Sequence, residues 1–342
     1  MTFAEKVNGA VEEYLRRQRM KNLSPRTVTN YRRVLRAFAD YVAETNQPDE
    51  FVGVVAWKTE LFERNLAPST INQYMTDLQT FFAHAAHRSF PQEIRFGDNP
   101  IDKTLFSENP ERPYEIVLTD EQVKMLYKNE PPAPRFKPTW ERNWCMIQLC
   151  LNEKIRNAEL LDLRLSDVDM HDHILVVQSG KGRKYREVDL CELSEFALTQ
   201  YLGSGIRPSA LSEDDYLFGT DAAHEFGNVN GAKGKEKWHR GTGAWLSATI
   251  ERTVAAITGV HDCRSHDLRH VGSRVCLNAG QSMEELQGQL GHAQIGTTQI
   301  YCSRMGSKRS RDSARSVLAA RDEAAKQLNQ QMEMGAVIAL HA

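Results

Sequence analysis

Apolar residues recur at helical spacing along the first hundred positions of the chain. Ser24 and Pro25 form a helix start, with serine as the cap and proline in the first turn. The apolar positions that follow lie three or four residues apart: Val28, Tyr31, Leu35, Phe38 and Val42. Residues 68–74 repeat this opening, and amphipathic segments cover residues 3–20 and 50–64. The pattern predicts a small domain of about four helices at residues 1–100.

The pattern changes after residue 100. Residues 101–116 are polar and punctuated by prolines, which is typical of a linker. Thr119-Asp120-Glu121-Gln122 then forms a capping box that opens a helix. We therefore expect a second domain over residues 117–342.

Helices dominate the predicted second domain, with one exception. Residues 174–177 and 186–190 are short strand-like runs on either side of Gly180-Lys181-Gly182, and they predict a β-hairpin with Lys181 near its tip. Residues 220–243 have little apolar pattern and indicate a surface loop, which either contacts DNA or is merely flexible. An alanine-rich helix is expected from about residue 312 to 334, followed by an apolar tip at 336–340.

Composition sets broad limits. A length of 342 residues favours two domains, and 43 Lys and Arg against 45 Asp and Glu give a net charge of −2. No apolar run approaches the roughly 20 residues of a membrane helix, and the start shows no signal-peptide pattern, so we expect a cytoplasmic protein without membrane contact. The six cysteines have no CxxC spacing and are interpreted mostly as buried thiols.

The charges are not evenly spread. Between Tyr14 and Arg36 there is no acidic residue, and we name the cations there the basic stripe: Arg16, Arg17, Arg19, Lys21, Arg26, Arg32, Arg33 and Arg36. The arginines lie largely off the apolar face, so the stripe can contact DNA phosphates while the other side packs. The alternative is a merely solvated face.

The candidate chemistry lies in the second domain. His266 and Arg269 are three residues apart on a predicted helix, so both can point at one oxyanion. His292 follows in Leu290-Gly291-His292, and Tyr301 comes nine residues later as a candidate nucleophile. Such an H-x-x-R pair alone is more often a solvated face or a cap than a site.

With Arg156 and Lys181 added, the series reads Arg, Lys, H-x-x-R, His, Tyr, which resembles the tyrosine recombinases, also called the phage integrase family. The resemblance implies a mainly helical fold with a small β-hairpin: an N-terminal core-binding, SAM-like domain and a C-terminal catalytic domain. It implies catalytic roles for Arg156, Lys181, His266, Arg269, His292 and Tyr301. Glu159 matches an acidic position that braces the site, and His270 matches a second histidine after the arginine.

The chemistry of the set is consistent with this. Arg156 and Arg269 can neutralise the non-bridging oxygens of a phosphodiester without a metal or other cofactor. Tyr301 would attack phosphorus, and Lys181 would protonate the leaving 5′ oxygen. Arg183 and Lys184 lie close enough in sequence to confuse that assignment, and both are candidate DNA contacts. His266 is the natural acceptor of the tyrosine proton.

The resemblance further implies a 3′-phosphotyrosyl intermediate, a Holliday junction and a homotetramer on two specific double-stranded DNA sites. It implies that the C-terminal tail docks on a neighbouring protomer, and accessory DNA-bending proteins are compatible with it. One departure stands out: where the family usually has Thr-Gly-Leu before the first arginine, this chain has Glu153-Lys154-Ile155.

Three other functions compete with recombination. A type IB topoisomerase-like enzyme would nick and reseal one duplex, although the helical domain and tail favour recombination. A DNA-binding accessory protein with an inactive site would form no covalent link to DNA. A metal hydrolase built on His266, His270 and His292 would be sensitive to chelators, but no acidic cluster accompanies those histidines.

Overall fold

The computed structural model describes residues 1–21, 23, 25–107, 117–179, 184–221, 238–291 and 308–340. The chain divides into two compact units, residues 1–115 and 116–342. Each unit has its own hydrophobic core.

The first unit is helical. Its described part contains α1 (Phe3–Met20), α2 (Pro25–Thr45), α3 (Glu50–Glu63) and α4 (Pro68–Ala85), so the expected four helices are confirmed. The helix starts follow from local chemistry, because Thr2 caps α1 in a capping box and Asp49 caps α3. The apolar stripes of the sequence meet in one core, in which Phe38 and Phe82 are fully buried.

The start of the predicted linker is held by the first unit. Asn72 of α4 binds both backbone groups of Ser107, each at 2.8 Å. Asn99 donates to the Gln79 carbonyl at 2.9 Å, and Ile101 is buried in the core of this unit. Residues 101–107 therefore pack with the first unit, and residues 108–116 lie outside the described residues.

The second unit is mostly helical as well. Its described residues form the helices α5 (Asp120–Leu126), α6 (Trp140–Leu151), α7 (Asn157–Asp162), α8 (Glu192–Gly203), α9 (Gly243–Thr258), α10 (Ser265–Ala279), α11 (Met283–Leu290) and α12 (Lys308–Leu340). The capping box predicted at Thr119 is present, with Gln122 closing it. Helix α6 lies in the centre of the unit, since nearly every one of its side chains is buried.

The predicted hairpin is confirmed. Strand β1 (Val168–Asp169) pairs with β2 (Ile174–Ser179), which pairs antiparallel with β3 (Lys184–Asp189). Val177 lies opposite Arg186 in this register. The tip that contains Lys181 and Arg183 lies outside the described residues.

The prediction of a plain loop at residues 220–243 is wrong at both ends. Strand β4 (Gly219–Asp221) pairs antiparallel with β5 (Trp238–Arg240). A Cβ atom on Gly219 would lie 2.5 Å from the Trp238 ring, so only glycine fits there. Trp238 also donates to the Tyr216 carbonyl at 2.8 Å. Residues 222–237 lie outside the described residues.

Helix α12 begins earlier and ends later than the sequence predicts. It contacts α10, α8 and α5 and contributes Ala314, Val317 and Ala325 to the core of its own unit. Cys145, Cys150 and Cys263 are buried free thiols, as expected, and burial raises the pKa of Cys263 to about 12. Across the described helices, none combines the length and apolar character needed to cross a membrane.

Candidate active site

A tight turn after α6 begins the site. Lys154 takes the place of the family's glycine and adopts the left-handed conformation, with φ of 58°. Its amine donates to the Asn152 carbonyl at 2.7 Å and to Gln289 Oε1 at 3.2 Å. Its own carbonyl accepts from the guanidinium of Arg269. The turn therefore forms without glycine and presents a carbonyl to a candidate catalytic arginine.

Arg156 stands at the start of α7 and is fixed by Glu159. The Arg156 backbone N–H donates to Glu159 Oε2 at 2.9 Å, and its Nη1 donates to Oε1 at 2.6 Å. The Arg156 side chain is 35% exposed, whereas that of Glu159 is 7% exposed. A carboxylate inside the protein thus holds a guanidinium that still reaches solvent.

Glu159 also binds Arg186, a residue that the sequence did not single out. Arg186 of β3 donates from Nη1 and Nη2 to the two carboxylate oxygens of Glu159, each at 2.9 Å. Burial alone would raise the pKa of Glu159, but Arg186 and Arg156 together lower it to about 2. The alternation of side chains along a strand could have indicated Arg186, because residues two apart share a face and Val188 is buried.

Arg269 is the most deeply buried of the arginines, with 1% of its side chain exposed. Its Nη2 donates to the Leu290 carbonyl at 2.8 Å, and its Nη1 lies 4.0 Å from Glu159 Oε2. Arg156, Arg186 and Arg269 therefore converge on one carboxylate, and we call these three residues the arginine cluster.

The arginine cluster also binds the C-terminal end of α11. Three consecutive carbonyls each accept from a different arginine: Gln289 from Arg186 at 2.9 Å, Leu290 from Arg269 at 2.8 Å and Gly291 from Arg156 at 3.3 Å. Gly291 ends the helix with φ of 61°. His292 comes next in sequence but lies outside the described residues, as does Tyr301.

His266 and His270 lie one turn apart on α10. Their rings meet edge to face with centroids 4.3 Å apart. Partial burial of the His266 ring lowers its pKa, and the nearby positive charges of Arg269 and Arg156 lower it further. The carboxylate of Asp267 raises this pKa, but by less. His266 is thus held neutral at neutral pH, the state in which an imidazole accepts a proton.

Of the sequence-predicted residues, the structure brings together Arg156, Glu159, His266, Arg269 and His270. The positions of Lys181, Arg183, His292 and Tyr301, and the side chain of Lys184, lie outside the described residues. Within the described ranges, no three His, Cys, Asp or Glu side chains group so as to hold a metal ion.

The basic stripe spans α1 and α2. Arg16 and Arg17 pair with Glu13 at 2.7 and 2.6 Å, and Arg36 pairs with Glu12 at 2.9 Å. These acids precede the stripe in sequence, and they offset part of its charge. Exposed Arg33 instead donates to the Tyr74 hydroxyl at 2.5 Å.

Comparison with known proteins decides the family. Residues 117–306, more than half of the chain, match the phage integrase family. The chain belongs to this family of tyrosine recombinases. Residues 10–92 of the recombinase match the N-terminal SAM-like domain of phage integrases, so both units have family counterparts.

Two curated relatives of the recombinase are named tyrosine recombinase XerC. The tyrosine recombinase XerC of Oceanobacillus iheyensis is 28% identical over 296 residues, which cover 84% of this chain and 88% of that protein. The tyrosine recombinase XerC of Staphylococcus epidermidis is 32% identical over 160 residues, 47% and 48% of the two chains. Family and relatives support the function of a site-specific tyrosine recombinase.

Solved structures share the fold. The XerH site-specific recombinase bound to palindromic difH substrate has a TM-score of 0.65 at 18% identity, covering 89% of this chain and 83% of that one. The Tn1549 transposon integrase in complex with transposon right end DNA has a TM-score of 0.62 at 16% identity, with coverage of 93% and 100%. These likenesses concern architecture alone.

Proposed function

We propose that this recombinase cleaves and rejoins specific double-stranded DNA sites through a 3′-phosphotyrosyl link on Tyr301. One observation carries the proposal: three arginines converge on buried Glu159, and Arg156 remains exposed beside the neutral imidazole of His266. A phosphodiester anion needs fixed cations at its non-bridging oxygens before a nucleophile can approach. The arginine cluster supplies fixed cations at this place.

In the proposed reaction the phenolate oxygen of Tyr301 forms a bond to phosphorus, and the bond from phosphorus to the 5′ oxygen breaks. His266 takes the phenolic proton, which suits its lowered pKa. Lys181 gives a proton to the leaving oxygen, and Arg183 or Lys184 is the alternative donor. Arg156, Arg269 and His292 stabilise the charge that grows on the non-bridging oxygens. Attack by a 5′ hydroxyl on the phosphotyrosine reverses these steps and reseals the strand.

The DNA partner is proposed from the charge pattern and the relatives. The basic stripe would contact phosphates from α1 and α2. The assembly would be a homotetramer on two sites that exchanges strands through a Holliday junction, with the tail at 336–340 docking on a neighbour. Accessory DNA-bending proteins are compatible with this assembly, and we expect the protein to act on the nucleoid in the cytoplasm.

Covalent trapping tests the proposal. Duplexes that the full chain retains are selected from a random-sequence pool, resynthesised with nicks at successive positions and incubated with the protein in EDTA. A nick close to the cleaved bond releases a short fragment, so religation fails and the intermediate accumulates. We expect an SDS-stable protein–DNA adduct with the unmodified chain and none with Tyr301→Phe.

The other outcomes point to other functions. Adducts with both proteins would mean another nucleophile. Adducts with neither would favour a DNA-binding accessory protein. Relaxation of supercoiled DNA that carries the selected sites, without any exchange between two duplexes, would favour a topoisomerase-like enzyme.

A further inference from the structure

We infer that Arg186 is a positioning residue for DNA cleavage, one that takes up the charge of Glu159 and so leaves the charge of Arg156 available to the scissile phosphate. The inference rests on the proposed function. It assigns a role to a residue outside the Arg, Lys, H-x-x-R, His, Tyr series.

The contacts of Arg186 face the protein. Its Nη1 and Nη2 donate to the two oxygens of Glu159, and its Nε donates to the Gln289 carbonyl at 2.9 Å. All three guanidinium nitrogens therefore have protein acceptors, and only 13% of the side chain is exposed. Arg156 shares the same carboxylate but is 35% exposed. Arg186 is therefore directed at groups inside the protein, whereas Arg156 is accessible to a substrate.

The charge balance explains why a second cation is needed. The carboxylate of Glu159 accepts from both the side chain and the backbone N–H of Arg156. The carboxylate is therefore needed to hold Arg156 in place. A carboxylate 2.6 Å from a guanidinium also weakens the pull of that guanidinium on a phosphate. Arg186 offsets this effect, because its bidentate contact engages both oxygens of Glu159. Exchange of Arg186 for a neutral residue would remove one positive charge from the cluster.

The same side chain acts on α11. The carbonyls at the C-terminal end of a helix carry partial negative charge, and the Gln289 carbonyl is one of them. Arg186 neutralises that end and ties β3 to it. Arg186 therefore removes two sources of negative potential, a carboxylate and a helix end, from the vicinity of the phosphate site.

If Arg186 were merely structural, its replacement would slow cleavage of every substrate by the same factor. If its role is electrostatic, the replacement should matter less when the scissile group carries no charge. The test uses two nicked duplexes of one selected sequence, after the unmodified chain has located the cleaved bond. One duplex carries the natural phosphodiester there, and the other carries a methylphosphonate, in which a methyl group replaces the charged non-bridging oxygen. The measured quantity is the single-turnover rate at which the 5′-hydroxyl strand is released.

We expect Arg186→Gln to slow release from the phosphodiester about 30-fold, less than the roughly 100-fold or more that loss of a direct donor to the transition state costs. On the methylphosphonate the same variant should be slower by only about 3-fold, since there is little charge to stabilise. Arg186→Lys keeps the charge but loses the bidentate contact, so on the phosphodiester it should be intermediate, about 10-fold slower than the unmodified chain.

Arg274→Gln is the matched control. Arg274 is 16% exposed and also binds one carboxylate, Asp120, and one carbonyl, Leu118, neither of which is an acceptor of the arginine cluster. Its loss should change the two rates by the same small factor.

Equal slowing of both substrates by Arg186→Gln would overturn the inference and leave Arg186 a structural residue. A lysine variant as slow as the glutamine variant would also overturn it, and this comparison still decides if Arg186→Gln does not fold. If the unmodified chain released no strand and formed no adduct, the proposed function itself would fall.

Discussion

Glu159 joins the two candidate catalytic arginines, Arg156 and Arg269, to Arg186. It is buried, yet it holds a full negative charge because Arg186 and Arg156 donate to both of its oxygens. A buried ion pair of this kind adds little net stability, but removal of one partner leaves the others without compensation. The residue therefore links the geometry of the site to the pH dependence of the fold.

Glu159→Gln tests this link. The folded-state pKa of Glu159 is about 2 against an ordinary value of 4.5, so its contribution is complete above pH 4.5 and is lost as the pH falls towards 2. The difference amounts to about 3 kcal/mol in the free energy of unfolding. Denaturant unfolding of both proteins from pH 7 to 2 should show their stability difference shrinking by about this amount. A difference that stayed constant with pH would contradict the assigned ionisation.

His266 carries a second pH prediction. Its pKa is lowered from 6.5, so the imidazole stays neutral as the pH falls through that value. If His266 accepts the Tyr301 proton, the single-turnover cleavage rate should decline in acid with a midpoint below pH 6.5. His266→Gln should be slower and should lose this acid decline. An unchanged decline in that variant would show that another group accepts the proton.

At this scale the order and spacing of Arg156, His266 and Arg269 indicated the family resemblance, and that resemblance in turn predicted a role for Glu159. The sequence did not predict the role of Arg186, because a charged residue in a short strand is ordinary until its neighbours in space are known. The spacing placed His266 and Arg269 on one helix face, but it did not indicate that Arg269 would be buried against two carbonyls from distant segments.

At the scale of elements, the approach of α10 to α6 places Arg269. Gly272 of α10 faces the end of α6, and a Cβ atom there would lie 1.8 Å from the Leu151 carbonyl oxygen. The two helices can touch at this point only because the residue is glycine. Lys154 follows Leu151 by three residues. The packing of the two helices therefore also positions the Lys154 carbonyl, which accepts from Arg269.

Gly272→Ala should therefore lower the free energy of unfolding by about 3 kcal/mol, because the helices must separate. Gly288→Ala is the control, since Gly288 lies within α11 and a Cβ atom there meets nothing within 4 Å. That change should raise the stability by about 0.5 to 1 kcal/mol through helix propensity. Thermal or urea unfolding measures both, and equal effects would contradict the close approach.

The elements that the sequence predicted well were long or strongly patterned. The four N-terminal helices and the hairpin at β2 and β3 have clear periodicity. The pair β4 and β5 was missed because three residues per strand are too few for alternation to be recognised. The glycine absent before Arg156 does not remove the turn, since Lys154 adopts the left-handed conformation itself.

At the scale of the whole molecule, the proposed function assigns DNA contact to the first unit and chemistry to the second. The net charge of −2 conceals a basic stripe in the first unit and an arginine cluster in the second. Part of the stripe is offset by Glu12 and Glu13. Helical spacing places Glu13 beside Arg16 and Arg17, whereas the contact of Glu12 with Arg36 joins α1 to α2 and does not follow from the sequence pattern.

Salt dependence distinguishes a DNA-contacting stripe from a solvated one. Arg33→Ala should reduce the slope of log affinity against log salt by about 0.9, the value for one lost phosphate contact. Arg64→Ala is the control, because Arg64 is exposed directly after the end of α3 and pairs with Glu60. Binding of the selected duplex is measured from low to high salt. Equal slopes for Arg33→Ala and the unmodified chain would indicate a solvated face.

The most direct test of the account is to identify the residue that carries the DNA. The covalent adduct is digested with nuclease and protease, and the nucleotide-bearing peptide is sequenced by mass spectrometry. We expect a 3′-nucleotide joined through phosphate to the phenolic oxygen of Tyr301. A nucleotide on any other residue would contradict the proposed mechanism.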